Sequence, residues 1–214
     1  MKKIIILMGI PGSGKGTQAH RLATQFGYTH ISTGNFLRTL AEDSHADPDD
    51  LAKLDAMRAG GLVDNELIYK VAFHAIEASF AEGKGVVLDG AIRSVEQAER
   101  YQDFFAGKGL ASDVVVCEIA ISDEESLARL TTRLAYAVRG EVVPALATSS
   151  VGGAIESARA DDDREVVEKR LEEQGNRAIA PILSYYDGLG LLVRIDGAKT
   201  IDEVANEIDR LLNV

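Results

Sequence analysis

The sequence predicts an α/β protein in which helices flank a five-stranded parallel sheet. Short apolar runs recur along the chain, and segments with helical spacing separate them. The apolar runs are continuous rather than alternating, as expected for strands buried on both faces of a sheet. Strands that alternate with helices favour a layered fold with right-handed crossovers. The predicted strands are Ile4–Met8, Thr29–Ser32, Val86–Leu88, Val114–Ile121 and Leu191–Ile195.

Apolar residues at helical spacing predict the helices that lie between these strands. We predict helices over Lys15–Phe26, Glu66–Phe80, Asp123–Arg133, Arg164–Tyr186 and Ile201–Leu212. Two stretches interrupt the alternation, residues 33–83 and 134–159. Insertions of this kind on an α/β core are often lids or binding loops. The prediction is a single domain over residues 1–214, with a core formed by 1–32, 84–133 and 160–214.

The composition is that of a globular protein, with 46% apolar and 27% charged residues. No segment approaches the roughly 20 apolar residues of a membrane span, so no membrane partner is expected. The opening "MKKIIILMGI" resembles a signal peptide, but its short apolar run and the glycines that follow favour a buried first strand. The net charge of −11 argues against a nucleic-acid surface, but not against a small phosphate ligand.

The single cysteine, Cys117, lies in the apolar run "VVVCEIAI" and is expected in the core. One cysteine cannot form an internal disulfide or a cysteine-based zinc site. This usage fits a reducing cytoplasm, so a cytoplasmic location is expected.

The stretch "GIPGSGKGT", Gly9–Thr17, joins the first strand to the first helix, and we call it the phosphate loop. Gly9, Gly14 and Lys15 fit the pattern G-x-x-x-x-G-K. Glycines let backbone N–H groups surround a phosphate, and the following helix N-terminus adds partial positive charge. A purely structural glycine turn is the alternative, but the strand before and helix after favour a nucleotide polyphosphate ligand.

Magnesium is expected with the nucleotide, but without a direct protein ligand. Gly16 follows Lys15 where such loops commonly have the Ser or Thr that binds the metal, and Thr17 comes one residue later. This departure favours small-molecule kinases over GTPases or motors. Asp89 ends a buried apolar strand and could orient the waters around Mg²⁺. The alternative is that Asp89 caps a helix.

Several arginines are candidates for binding phosphate groups. Singly, each could be a solvated surface charge in an acidic protein. Together with Lys15 they would surround a cleft with positive charge, as two nucleotides presenting several phosphates would require. Phosphoryl transfer depends mainly on positioning and on charge stabilisation. The candidates are Arg38, Arg93, Arg129, Arg133, Arg159 and Arg170.

The motifs "GIPGSGKGTQA", "HISTGNFLR", "LDGAIRSVEQA" and "RADDDREVVEKRL" occur in an order that resembles the adenylate kinases, a P-loop family of nucleoside monophosphate kinases. The resemblance runs from residue 3 to about residue 212. It implies reversible phosphoryl transfer from Mg-ATP to AMP, giving two ADP, by direct in-line displacement. It also implies an AMP-binding insertion at residues 33–83 and a lid at residues 134–159. We expect a monomer, and no zinc, because residues 134–158 contain neither cysteine nor histidine.

The resemblance also implies a role for individual residues in binding ATP. Arg129 would stack on the ATP adenine, and backbone around Gly197–Lys199 would meet the same base. Arg133, Arg159 and Arg170 would hold the transferring phosphoryl group, with Asp161 and Asp162 at the lid hinge. The implied ATP phosphate set is Gly12, Ser13, Gly14, Lys15, Gly16 and Thr17, and Lys199 completes the ATP site.

For AMP, the resemblance implies that Arg38 and Arg93 hold the phosphate and that Thr33 and Gln97 recognise adenine. It adds Val63 and Gly90 to the AMP site, with Arg159 and Arg170 shared, and it places Asp89 and Asn35 near the water shell of the metal. The residues expected to act in catalysis are Lys15, Arg93, Arg133, Arg159 and Arg170.

Some residues depart from the family pattern. Asn35 replaces an aspartate, Ala91–Ile92 replace Phe-Pro, and the segment 134–159 lacks the usual hairpin and any metal ligands. These departures bear on the rate more than on the reaction class. Two alternatives therefore stay open: a kinase for another monophosphate such as UMP or CMP, and a nucleotide-binding regulatory module with little turnover.

Overall fold

A computed structural model describes residues 2–34, 65–139 and 164–212. In these ranges five parallel strands form one sheet in the order β2-β3-β1-β4-β5. This confirms the predicted α/β fold, with strand ends that differ from prediction by one residue at most. The strands are β1 (Ile4–Met8), β2 (Thr29–Ser32), β3 (Val86–Asp89), β4 (Val114–Ala120) and β5 (Leu192–Asp196).

Helices cover both faces of the sheet. They are α1 (Lys15–Phe26), α2 (Asn65–Ala81), α3 (Val95–Gly107), α4 (Asp123–Val138), α5 (Arg164–Gln174), α6 (Asn176–Gly188) and α7 (Ile201–Leu212), with a short 3₁₀ turn at Ala111–Asp113. No helix within these described ranges is long and apolar enough to cross a lipid bilayer.

Two apolar clusters lie on opposite sides of the sheet. On β1, Ile4, Ile6 and Met8 pack towards α2, α3 and α6, whereas Ile5 and Leu7 pack towards α1 and α7. Every residue of β1 is therefore buried, which explains why the run is apolar without alternation. Each such side chain contributes about 1.5–3 kcal/mol when it is buried.

The parallel register brings the ends of all five strands to one edge of the sheet. Asp89, the last residue of β3, pairs with Leu7 of β1 and with Ser32 of β2. The phosphate loop follows β1 at the centre of this edge. Strands β2 and β3, from the first half of the chain, lie on one side of β1, and β4 and β5, from the second half, lie on the other. A crevice where strand order reverses in this way is where open α/β sheets bind ligands.

The predicted helix Arg164–Tyr186 is wrong, because the structure has two helices, α5 and α6, that meet at Gly175. Gly175 has φ −75° and ψ −176°, an extended conformation that ends the helical path. The first turn of α6 is then anchored from elsewhere in the chain, since Asn176 N and Nδ2 donate to Asp123 Oδ1 at 3.2 and 2.9 Å. Because Asp123 and Asn176 are 53 residues apart in the chain, no local sequence pattern indicates this contact.

Gly175→Ala is expected to lower the stability of the protein. A Cβ at Gly175 would lie 2.2 Å from the carbonyl oxygen of Leu171, so the backbone must shift. Such overpacking costs about 1–3 kcal/mol, and each kcal/mol lowers Tm by about 2–4 °C in a protein of this size. Gly188→Ala is the matched control, because a Cβ there meets nothing within 4 Å. Thermal unfolding should separate the two variants, and equal Tm values would contradict the prediction.

Helix α3 was not among the predicted helices, although its start carries a recognisable signal. Ser94 Oγ accepts a hydrogen bond from Gln97 N at 3.1 Å, which caps the first turn. Ser followed three residues later by Gln is a capping-box pattern. The capping residue of this helix is therefore Ser94, and the alternative that Asp89 caps the helix following its strand is wrong.

Helix α4 extends to Val138 and does not end at Arg133 as predicted. The added turn contains leucine and alanine, which are strong helix formers. Val138 is 79% exposed, and none of the side chains described in this turn is buried, so apolar spacing gives no signal there. The first residues assigned to the lid, residues 134–138, thus belong to α4. Residues 140–159, and most of the insertion at residues 33–83, lie outside the described residues.

Candidate active site

The phosphate loop has backbone angles that require glycine. Gly9, Gly12 and Gly14 have φ values of +142°, +77° and +99°, a region that side chains other than glycine rarely adopt. A Cβ at Gly9 would also lie 2.6 Å from the carbonyl oxygen of Ile119. The glycines thus let the loop turn tightly after β1, as the sequence motif predicts.

Lys15 begins α1, and its side chain reaches back across the loop. Its Nζ donates to the carbonyl oxygens of Gly9 at 2.8 Å and Ile10 at 2.9 Å, and lies 3.4 Å from Ser13 Oγ. The ammonium group is therefore held at the loop itself. Gly12, Ser13 and Gly14 precede this helix, and Gly16 and Thr17 lie in its first turn.

Asp89 lies beside the start of the phosphate loop, at the end of β3. Its side chain is 13% exposed, and Oδ2 is 3.4 Å from His30 Nε2 on the neighbouring strand β2. The described residues contain no cluster of three or more His, Cys, Asp or Glu side chains that could hold a metal ion. The Asp89 carboxylate fits a metal whose other ligands come from nucleotide phosphates and water.

Arg93 follows the turn after β3. Gly90 has φ +66° in this turn, and its carbonyl oxygen accepts a hydrogen bond from Arg93 Nε at 3.3 Å. Arg93 N donates to Gln97 Oε1 at 2.6 Å. The structure thus brings the predicted AMP residues Gly90, Arg93 and Gln97 together where the turn after β3 meets the first turn of α3.

The Gln97 amide already has partners within the protein. Gln97 is 3% exposed, its Oε1 bonds to the Arg93 backbone, and its Nε2 donates to Asn65 Oδ1. Because an amide NH2 group carries two donors, Nε2 can contact a base through its second N–H while the bond to Asn65 is kept. Asn65, at the start of α2, is a neighbour that no local sequence pattern indicates.

Thr33 follows β2 directly and is 6% exposed. Its Oγ1 is buried and has no hydrogen-bond partner in the part of the chain that the structure describes. A buried hydroxyl without a partner costs about 1–3 kcal/mol. A ligand that supplies a hydrogen bond at this position would remove that cost, as the predicted contact with adenine would.

On the other side of β1, Arg129 contacts the turn after β5. Its NH2 group donates to the carbonyl oxygen of Gly197 at 2.7 Å and forms an ion pair with Glu125. Lys199 lies in the same turn, but its Nζ forms an ion pair with Glu207 on α7. The hydrogen bond to Glu207 raises the pKa of Lys199. Arg129 and the Gly197 backbone thus lie within hydrogen-bond distance of each other, and their assignment to the ATP adenine stays a prediction of the resemblance.

Arg133 and Arg170 lie on α4 and α5, two helices that pack against each other. Arg129 and Arg133 are one helical turn apart and so share a face of α4. Four other predicted site residues lie outside the described residues, and so do Asp161 and Asp162. These four are Asn35, Arg38, Val63 and Arg159.

Cys117 has no place in this site. It is fully buried on β4, and burial raises the pKa of its thiol to about 12. The thiol therefore stays protonated and packs as an apolar group, as predicted.

Ser126, on α4, contacts the phosphate loop and was not among the predicted site residues. It is fully buried, and its Oγ donates to the carbonyl oxygen of Pro11 at 2.6 Å. A lone serine among helical residues gives no local indication of a partner in a distant loop.

Comparison with known proteins agrees with this geometry. A family model described as "Adenylate kinase" matches residues 7–191. Proteins named adenylate kinase from Methylobacterium nodulans and Xanthobacter autotrophicus are each 37% identical over 97% of this chain, covering 95% and 97% of their own lengths. One from Agrobacterium fabrum is 35% identical over 97% of this chain and 96% of its own. The chain belongs to the adenylate kinase family.

Proposed function

We propose that this protein transfers the terminal phosphoryl group of Mg-ATP reversibly to AMP, giving two ADP. The observation that carries the proposal is the placement of candidate residues on either side of β1. The Arg93 turn and Thr33 follow β3 and β2 on one side, and the Gly197 turn follows β5 on the other. The phosphate loop with Lys15 lies between them. This arrangement suits two nucleotides whose phosphates meet at the centre, and family membership supports it.

In the proposed mechanism, this chain contributes positioning and positive charge. Backbone N–H groups of the phosphate loop and the Lys15 ammonium group bind the ATP phosphates. Arg93, with Arg38, holds the AMP phosphate, whose anionic oxygen attacks the γ-phosphorus in line. A bond forms between that oxygen and phosphorus as the bond to the oxygen bridging the β- and γ-phosphates breaks. The nucleophile is already ionised, so no general base is required.

Arg133, Arg159 and Arg170 are proposed to balance the charge of the phosphoryl group during transfer. Stabilising charge and holding both reactants in line are the main sources of rate in this reaction class. Mg²⁺, bound with ATP, would neutralise phosphate charge. Asp89 and Asn35 would orient its water ligands. Arg129 and the backbone around Gly197–Lys199 would hold the adenine of ATP.

The proposal extends to features that rest on the sequence and the resemblance. We infer that the protein acts as a monomer in the cytoplasm and uses magnesium but no zinc. The part of the predicted lid that follows α4, residues 139–159, would close over the bound nucleotides, and residues 33–83 would bind AMP. Excluding water by closure would favour transfer over hydrolysis of ATP.

A coupled assay with Mg-ATP and each of AMP, UMP, CMP and GMP tests the proposed function. We expect AMP to have the highest kcat/KM. Equal turnover of UMP or CMP would point instead to a kinase for another monophosphate. Binding of ATP without measurable turnover of any acceptor would point to a regulatory module.

Thr33→Ala is expected to raise KM for AMP by about two- to tenfold and to reduce the preference for AMP over UMP. The reason is loss of one hydrogen bond to adenine, worth about 0.5–1.5 kcal/mol. Thr24→Ala is the control, because among the described residues Thr24 bonds within α1, to His20 and Arg21. Steady-state kinetics with varied AMP measures the effect. An unchanged KM for AMP in Thr33→Ala would remove Thr33 from the AMP site.

A further inference from the structure

We propose that Ser126 is a positioning residue that holds the phosphate loop against α4 and thereby sets the affinity for ATP. The inference rests on the proposed function for its kinetic part. Its basis is the hydrogen bond from Ser126 Oγ to the Pro11 carbonyl oxygen, 2.6 Å long and formed by a side chain that is 0% exposed. A buried bond of this kind is not in competition with water, so it holds its geometry more firmly than an exposed one.

The bond acts on the peptide group that joins Pro11 to Gly12. In a trans peptide the C=O and N–H groups point in opposite directions, and the described residues contain no cis peptide bond. Fixing the Pro11 carbonyl towards α4 therefore directs the Gly12 N–H away from that helix. Backbone N–H groups are the part of such loops that binds phosphate, so their direction affects ATP affinity.

The loop also lies directly on α4. A Cβ at Gly12 would be 3.2 Å from Leu130 Cγ and 3.3 Å from the Ser126 carbonyl oxygen, so only hydrogen fits there without displacement. One turn further along α4, Arg129 binds the carbonyl oxygen of Gly197. Helix α4 thus forms hydrogen bonds both with the phosphate loop and with the Gly197 turn, which is proposed to contact adenine. Ser126 sets the spacing between the phosphate-binding backbone and the arginines on α4.

Ser126→Ala removes the bond with little change of volume. We expect KM for Mg-ATP to rise by about three- to tenfold, with KM for AMP changed by less than about twofold. Ser126→Cys keeps the shape and a weak donor, so we expect an intermediate KM for Mg-ATP. The control is Ser122→Ala, which removes a cap of α4, the bond from Glu125 N to Ser122 Oγ, but leaves the phosphate loop untouched. We expect it to lower Tm without altering KM for Mg-ATP.

Equilibrium binding of ATP by titration calorimetry, without acceptor, provides a readout independent of the reaction catalysed. A raised Kd for ATP in Ser126→Ala supports the inference even if the acceptor is not AMP. An unchanged Kd with a lowered Tm would show a merely structural bond and would overturn it. Equal increases in the KM values for Mg-ATP and AMP would also overturn it. If Ser126→Ala does not fold, the comparison is made with Ser126→Cys, where an unchanged Kd for ATP counts against the inference.

Discussion

Lys15→Ala is expected to lower kcat/KM by about a hundredfold or more, comparable to the loss of one preorganised charge donor in other enzymes. Lys15 Nζ is held at the phosphate loop by the carbonyl oxygens of Gly9 and Ile10. Its charge is therefore in position before ATP binds. Because phosphoryl transfer depends on balancing phosphate charge, loss of this ammonium group should affect kcat as well as KM for Mg-ATP.

The control for Lys15→Ala is Lys84→Ala, which removes an exposed lysine just before β3, at the opposite edge of the sheet, where it pairs with Glu82. We expect near-normal kinetics for that variant. Lys15→Arg keeps the charge but not the compact ammonium group, so it should recover activity only in part. Thermal unfolding of both alanine variants separates an effect on the site from loss of fold. Near-normal kcat/KM in a folded Lys15→Ala protein would remove Lys15 from the mechanism.

Arg93→Ala is expected to have a similarly large effect, about a hundredfold in kcat/KM. The residue follows the Gly90 turn at the end of β3, beside the phosphate loop, and its Nε bonds to the Gly90 carbonyl oxygen at 3.3 Å. The guanidinium group can hold a phosphate through two parallel hydrogen bonds. Its loss should therefore misplace the nucleophile and weaken AMP binding.

Arg100→Ala is the matched control, because Arg100 lies on the same helix, α3, at an exposed position. Direct titration distinguishes the two nucleotide sites. In Arg93→Ala, the Kd for AMP should rise while the Kd for ATP stays close to that of the wild type. If the Kd for ATP rises as much as the Kd for AMP, Arg93 acts by maintaining the structure of this edge of the sheet and not by binding the AMP phosphate.

Much of the fold followed from local patterns. A strand buried on both faces is mostly apolar, so β1, apolar throughout, and β4, apolar except for Glu118, were predictable to within one residue. The phosphate loop was predictable because glycine is the residue that best tolerates its positive φ values, as at Gly9 and Gly12. The end of α4 was not predicted because the exposed Val138 offers no apolar stripe there. Helix α3 was not predicted either, although Ser94 caps it and Ala98, Tyr101 and Phe105 form its buried face.

The sequence alone determined the chemistry offered at the sheet edge: a phosphate loop, a lysine within it, a carboxylate after β3 and several arginines. Only the tertiary structure decided which groups from distant parts of the chain meet at and around this edge. It placed Ser126 on Pro11, Arg129 on Gly197, Asn65 on Gln97 and Asp123 at the break between α5 and α6. Each bond joins groups that lie far apart in the chain. Periodicity and spacing describe only neighbours along the chain, whereas these pairs form because the packing of helices against the sheet brings their atoms within hydrogen-bond distance.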